Sequence, residues 1–378
     1  MKIEPFSIER WFGRYEFTAR HNIAESCVKP FTLSELADLC GADVFHGDRP
    51  VGLGYTDSRG LPELREEIAR LYPGRGPENV LVTAGAIEAN FLVFGALLGP
   101  GDTVISEFPA YQQLYEVPRS LGAEVKLWHL EAEKGFRADI SELEGLVAQG
   151  ARMIVINHPH NPTGAAIDSG SMAAVCEIAE QRGAYLLSDE VYRGLSLSDA
   201  VASPSAQRFS DDAVSVGSMS KAYGLSGLRI GWVVGPGEVI EKCLTLRDYT
   251  SICPAGPSQL LAMAALRNAE KVLARNRAIA RKNFAILDEW VRANSGLVSY
   301  VPPKEGVVAF VKYAPQAPSL DMATEIVTQD GVLVVPGSCF EMEGYFRIGF
   351  GGDTATLETG LALLATRLES KLPPRDAR

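Results

Sequence analysis

The strongest constraint on this chain is an alternation between about residues 60 and 235. Short runs rich in Val, Ile and Leu alternate with segments of helical period, and Gly, Pro, Asn or Asp lies between them. Val80–Thr83, Thr103–Ser106, Glu124–Leu130, Arg152–Asn157, Ala184–Ser188 and Ala213–Val216 read as strands. Ile87–Leu98, Tyr111–Leu121 and Ser171–Gln181 read as helices, the second stopped at Gly122 and the third followed by Gly183. Runs such as Met153-Ile154-Val155-Ile156 are apolar at every position rather than at every other one. A strand of that kind is buried on both faces, which is the pattern of a mostly parallel sheet with helices on each side. Ligands in such sheets bind beyond the carboxyl ends of the strands, so the informative residues are those just after each run.

The C-terminal third reads differently. A long polar helix pattern covers Lys271–Ala293, Val307–Val311 and Val332–Val335 follow as strands, and Asp353–Leu372 is a last helix before a charged, proline-containing tail. This predicts a smaller α+β domain. The first 45 or so residues have no strand run of their own and are expected to pack with it. The division expected is therefore a large domain over 46–255 and a small one built from 1–45 and 256–378.

Composition removes several function classes. Lys and Arg number 36 against 47 Asp and Glu, a net charge of −11, which does not suit a nucleic-acid surface that must displace counterions. The longest apolar run is about eight residues, far short of the ~20 a membrane span needs. Met1-Lys2-Ile3-Glu4-Pro5 has no apolar signal core, and the six cysteines show no C-x-x-C or His-paired metal spacing. The expectation is a cytoplasmic protein with reduced thiols and no metal.

The chemistry-bearing residues sit after the strands. In Ser218-Met219-Ser220-Lys221, two hydroxyls and an amine follow a strand, and Arg229 comes eight residues later in a Gly-rich stretch. Together they can hold a phosphate-bearing ligand while the amine attacks an aldehyde. Burial and neighbouring cations are expected to depress the Lys221 pKa. Asp189 ends an apolar strand, where a carboxylate needs a facing cation such as a protonated ring nitrogen, although alone it also reads as a helix N-cap. Tyr192 follows three residues on. Asn161 lies in the turn His158-Pro159-His160-Asn161-Pro162-Thr163-Gly164. His158 and His160 read as structural, because an imine-forming lysine already supplies a base. Ala84-Gly85-Ala86 open a strand-to-helix turn where backbone N–H groups can meet a phosphate. Tyr111 can stack on a flat ring or fill the core.

These motifs, in this order, resemble the fold-type-I pyridoxal-phosphate (PLP) enzymes, specifically the class I/II aminotransferases. Asn-Pro-Thr-Gly begins at Asn161, Asp-x-x-Tyr begins 28 residues later, and Lys221 follows Tyr192 by 29. The resemblance runs from about Tyr55 to Arg347. It implies an α/β fold with a mostly parallel seven-stranded sheet sandwiched by helices, plus a smaller α+β domain. It also implies pyridoxal 5′-phosphate as cofactor, bonded to Lys221 as a Schiff base. Asp189 would hold the ring N–H, Tyr192 and Asn161 the ring oxygen, and Tyr111 the ring face. Ala84, Gly85, Ala86, Ser218, Ser220 and Arg229 would form the phosphate cup, with Tyr55 reaching the phosphate from a partner subunit in a homodimer with shared sites. Arg347 would grip the substrate α-carboxylate, where alone it reads as a surface ion pair. The activity implied is transfer of an α-amino group from an L-amino acid to a 2-oxo acid.

One stretch departs from the family pattern. Where many members have a Gly-rich segment over the substrate, this chain has Asn22-Ile23-Ala24-Glu25-Ser26-Cys27-Val28-Lys29-Pro30-Phe31-Thr32. That stretch, the His158–Pro162 turn and Leu246-Arg247-Asp248-Tyr249 are similar to capreomycidine synthase-like members, which act on a hydroxylated arginine by elimination and ring closure. Glu25 reads either as a partner for a cationic side chain such as a guanidinium or as a solvated charge. No position matches the partner-subunit Arg that selects dicarboxylates in some relatives. A cofactor-sensing protein without turnover is a further alternative, but the basic DNA-binding extension such proteins carry is not present.

Overall fold

The apolar run Met153–Ile156 shows how the sequence sets the architecture. In the computed structural model, which describes residues 2–41, 52–200 and 202–372, Met153 and Val155 pack into one core and Ile154 and Ile156 into another. Successive strand residues face opposite ways, so an all-apolar strand needs cover on both sides. That cover is the helix Ala86–Leu97 on one face and the helices Ile140–Val147 and Ser169–Arg182 on the other.

Seven strands form the central sheet: β1 Val80–Thr83, β2 Thr103–Phe108, β3 Glu124–His129, β4 Met153–Asn157, β5 Tyr185–Asp189, β6 Val214–Ser218 and β7 Gly231–Val234. Their order is β1-β7-β6-β5-β4-β2-β3. Only β7 runs against its neighbours; β2 to β6 are parallel, as the sequence predicts. The sequence reading did not anticipate β7, whose short Gly-Trp-Val-Val run gives a weak signal. Element limits otherwise agree to within about two residues, with the helix expected from Tyr111 beginning at Gln113.

A four-stranded antiparallel sheet, β8 Val298–Tyr300, β9 Val308–Tyr313, β10 Val335–Pro336 and β11 Tyr345–Gly349, has the order β10-β11-β9-β8. It packs with the 25-residue helix Ala269–Ala293 and with Thr354–Ser370. Two expectations need correction here. The N-terminal stretch does own a strand, His21–Asn22, paired in parallel with Val332–Leu333. The run Val332–Val335 is not one strand either: its first half pairs with His21–Asn22 and its second with β11. Val334 lies between them, its carbonyl accepting the Trp11 indole N–H at 2.8 Å. The expected boundary at 45–46 and the tail beyond Leu372 lie outside the described residues. Among the described residues no helix is long and apolar enough to cross a membrane.

The floor of the site depends on one close approach. Gly85 has φ +87°, and a Cβ on Gly231 of β7 would run into the Gly85–Ala86 backbone. Backbone cannot move aside as a side chain can, so Gly231→Ala should cost about 1–3 kcal/mol of stability. It should also weaken cofactor retention, since the resemblance implies that the same turn cradles the phosphate. Denaturant unfolding and cofactor titration measure both, and unchanged values would overturn the assignment.

Candidate active site

The carboxyl ends of β4, β5 and β6 converge on a cavity of about 490 Å³. Asn157 and Asp189 are register partners at the ends of β4 and β5. Asn157 Nδ2 donates to the Asp189 carbonyl at 3.0 Å, and its Oδ1 accepts the Asn161 backbone N–H at 3.0 Å. Asn161 Oδ1 then accepts from Arg347 on β11 at 3.0 Å. A short chain of amide groups thus links the two sheets across the cavity.

Asp189, only 5% exposed, receives the Asn90 Nδ2 at 2.9 Å and the Val191 N–H at 3.2 Å. Burial outweighs these donors and pushes its carboxyl up to about 6. The Tyr192 hydroxyl lines the cavity, is buried, and has no hydrogen-bond partner among the described residues. Arg347 is 1% exposed; it donates to Asn161 and, at 2.9 Å, to the Ala24 carbonyl, while its Nε has no partner among the described residues. Tyr111 lines the wall and donates its hydroxyl to Glu9 at 3.0 Å.

Beside the first turn of the helix Ala86–Leu97, Arg229 donates to Ser220 Oγ at 3.3 Å and to the Ala84 carbonyl at 3.3 Å. Ser218 Oγ accepts the Ser220 N–H at 2.9 Å. Ser218, Ser220, Arg229 and Ala86 line the cavity; Ala84 and Gly85 stand behind Ala86 and against the Arg229 guanidinium.

Lys221 Nζ reaches into the same space and donates to Ser26 Oγ at 2.8 Å and to Cys27 Sγ at 3.5 Å. Its pKa departs from the expectation. Burial and Arg347 lower it, but Cys27 and Tyr192 beside the amine raise it, and the net direction is upward. Cys27 is 194 residues away in sequence, so its place beside the amine leaves no local signal.

Glu25 is on the wall, and so are two carboxylates that sequence reading missed, Glu9 and Glu16. Seven residues apart, they share one face of the helix Ser7–Tyr15 and its C-cap, with Phe12 between them on the same wall. That i, i+7 spacing is the signal that could have found them. Burial raises Glu16, with Glu9 adding to it; burial also raises Glu25, with Glu16 adding to it. Asn90, the donor to Asp189, left no sequence signal. Tyr55 is 87% exposed and does not line this chain's own cavity.

His158 and His160 are buried away from these reacting groups. His158 Nε2 pairs with Glu107 at 2.8 Å, and His160 Nδ1 with Thr163 Oγ at 2.7 Å. Burial lowers the His158 pKa, but Glu107 more than offsets it. Neither histidine is on the cavity wall.

The donor set fits pyridoxal phosphate. A buried carboxylate with no contact ion pair and a buried phenol with no hydrogen-bond partner among the described residues, a lysine amine, and an Arg–Ser cluster at a helix N-terminus suit its ring nitrogen, ring oxygen, aldehyde and phosphate in turn. A fold and site of this kind define a fold-type-I PLP-dependent enzyme. The chain belongs to the aminotransferase class I and II family, whose model matches residues 22–364, and its cofactor is pyridoxal 5′-phosphate. It is 33% identical over 365 residues to capreomycidine synthase of Streptomyces vinaceus, covering 96% of this chain and 93% of that one. Among solved structures, a PLP-dependent aminotransferase from Streptococcus suis 89-1591 superposes with a TM-score of 0.94 at 40% identity, over 99% and 100% of the two chains. A PLP-dependent cyclase superposes with a TM-score of 0.90 at 32% identity, over 98% and 99%.

The raised Asp189 carboxyl gives a measurable pH effect. Its folded pKa lies above the usual 3.8, so its contribution to stability is full below about pH 4 and is lost as pH rises through about 6. At about 1.4 kcal/mol per pKa unit the loss is roughly 3 kcal/mol. In cofactor-stripped protein, Asp189→Asn should therefore gain stability over wild type by that order between pH 4 and 7. A difference that stays flat with pH in denaturant unfolding would sink the assignment.

Proposed function

We propose that this chain transfers the α-amino group of an L-amino acid with a cationic side chain to a 2-oxo acid. The observation that carries the substrate class is the charge layout of the cavity. Arg347 lies fully buried in the lining, half-buried Glu9, Glu16 and Glu25 share it, and none of them forms an ion pair among the described residues. Glu9 raises the Glu16 pKa and Glu16 raises that of Glu25, so crowding the three is costly unless a cation joins them. A guanidinium or ammonium side chain answers that need while the α-carboxylate meets Arg347.

The cofactor supplies an aldehyde that bonds amines and a ring that accepts the electron pair left at the α-carbon. The residues would act around it. Lys221 bonds the aldehyde carbon and, when released, collects the α-proton. Asp189 keeps a proton on the ring nitrogen, and Tyr192 and Asn161 bond the ring oxygen. Tyr111 packs on the ring face. Ser218, Ser220, Arg229 and the Ala84-Gly85-Ala86 turn hold the phosphate. Arg347 orients the substrate through its carboxylate, with Nε as the open donor. The acidic wall repels a second carboxylate, so the 2-oxo acid acceptor proposed is monocarboxylic.

Elimination of a β-substituent followed by ring closure on an arginine-like amino acid is the second reading. The end-to-end likeness to capreomycidine synthase and to the PLP-dependent cyclase favours it. Both readings use the same cofactor-binding residues.

A panel of amino acids titrated against the cofactor absorbance tests the substrate class. Cationic side chains should bind best, and Glu16→Gln or Glu25→Gln should weaken them about tenfold while sparing neutral ones. Preference for an acidic side chain would reject the proposal. Pyridoxamine phosphate plus a 2-oxo acid product marks transamination, whereas a cyclised product with the cofactor unchanged marks the second reading. Borohydride should fix the cofactor on Lys221.

The proposed assembly is a homodimer in which Tyr55 reaches the phosphate of the other copy. Its exposure, and its position off its own cavity wall, support this. Sedimentation of a monomer at micromolar concentration would remove that role from Tyr55.

A further inference from the structure

The contacts of Lys221 with Ser26 and Cys27 have no part in the chemistry assigned above. Both partners come from the segment Ile23–Phe31, nearly two hundred residues away in sequence. That segment is fixed on both sides of them. Gly349 N–H donates to the Ile23 carbonyl at 2.8 Å, Lys29 N–H to Gly351 at 2.7 Å, and Phe31 N–H to Gly224 at 3.2 Å. A Cβ on Gly349 would strike the Glu25 backbone, and one on Gly351 the Cys27 backbone. The two side chains are therefore held over the amine by packed main chain, and not by a loose loop.

We propose that Ser26, assisted by Cys27, is a positioning residue that seats the Lys221 amine whenever it is not bonded to the cofactor. This rests on Lys221 as the cofactor-bonding lysine. The amine is released once per cycle. The substrate nitrogen bonds to the aldehyde-derived carbon, the bond from that carbon to Nζ breaks, and the two hydrogens lost by the substrate nitrogen end on Nζ. The neutral amine then has two N–H groups and one lone pair. With the N–H groups spent on Ser26 Oγ and Cys27 Sγ, tetrahedral geometry turns the lone pair away from the segment and into the cavity. A base that must collect an α-proton is thereby aimed before the proton arrives. A hydroxyl suits the task because it accepts without adding charge. The charged and titratable groups that already act on this amine are Cys27, Tyr192, Arg347, Asp189, Glu16 and Glu25.

The test uses holoenzyme and two ligands read by the cofactor absorbance. α-Methyl-L-arginine can displace the lysine but has no α-proton to lose. 5-Guanidinopentanoate, the same chain without the amine, cannot displace it and is measured by competition. Ser26→Ala should weaken α-methyl-L-arginine about tenfold, the order of one hydrogen bond, and leave 5-guanidinopentanoate within about twofold. Ser26→Thr, which keeps the hydroxyl, should stay within about threefold of wild type for both. Equal losses for the two ligands would mean a disturbed segment and would overturn the proposal, as would no loss for either. If Ser26→Ala does not retain cofactor, Cys27→Ala takes its place. It should weaken the amine-bearing ligand alone, by roughly two- to threefold, and a non-selective result again overturns the proposal. A wild-type spectrum unmoved by α-methyl-L-arginine counts against the cationic substrate instead. In that event 2-aminoisobutyrate and isobutyrate replace the two ligands, with the same selective loss expected.

Discussion

The arrangement of the cavity depends on a single buried guanidinium. Arg347 sits on β11 of the small sheet with almost no solvent contact. A buried cation must be answered by hydrogen-bond acceptors. It finds them on Asn161, in the turn after β4, and on the Ala24 carbonyl, in the N-terminal segment. Three parts of the chain that are far apart in sequence are thereby held at one point. Asn161 is in turn aligned by Asn157, whose other amide group holds the end of β5, where Asp189 stands. The position of the small sheet over the large one and the placement of the buried carboxylate are thus parts of one hydrogen-bonded chain.

What was legible in the sequence follows from range. The strands of the large sheet are visible because burial on both faces demands apolar residues in unbroken runs, and Met153–Ile156 could not be hidden in a half-exposed strand. The Asn161, Asp189, Tyr192 and Lys221 cluster was legible because each residue follows a strand end, and parallel strands bring their ends to one edge. What escaped depends on tertiary contact. Val332–Val335 looks like one strand until Trp11, more than three hundred residues away, takes the Val334 carbonyl. The upward shift at Lys221 requires Cys27 beside it, a contact equally remote in the chain. Asn90 lies inside a continuous apolar helix, where one amide leaves no pattern, yet it supplies a donor to Asp189.

Charge is divided within the cavity in a way the net value of −11 conceals. The lining carries Arg229 beside a helix N-terminus, Arg347, and the carboxylates Glu9, Glu16 and Glu25. Under the proposed function, Arg229 and Arg347 each meet an anionic group and the carboxylates meet a cationic side chain. Such a layout orients a zwitterionic molecule before any covalent step, since turning it end for end would place like charges together.

One glutamine helps to fasten the helix that carries Glu9 and ends at Glu16. Gln112 accepts the Ser7 N–H at 2.8 Å and donates to the Pro5 carbonyl at 3.1 Å, so both clasps belong to main chain and not to the acidic side chains. Glu9 is tied to Tyr111, but the Glu16 carboxylate takes no part in these clasps and could vary while its mount persists. In a lineage of duplicated genes, that separation would let new preferences arise by a few exchanges near the amino terminus, leaving the inherited reaction centre intact.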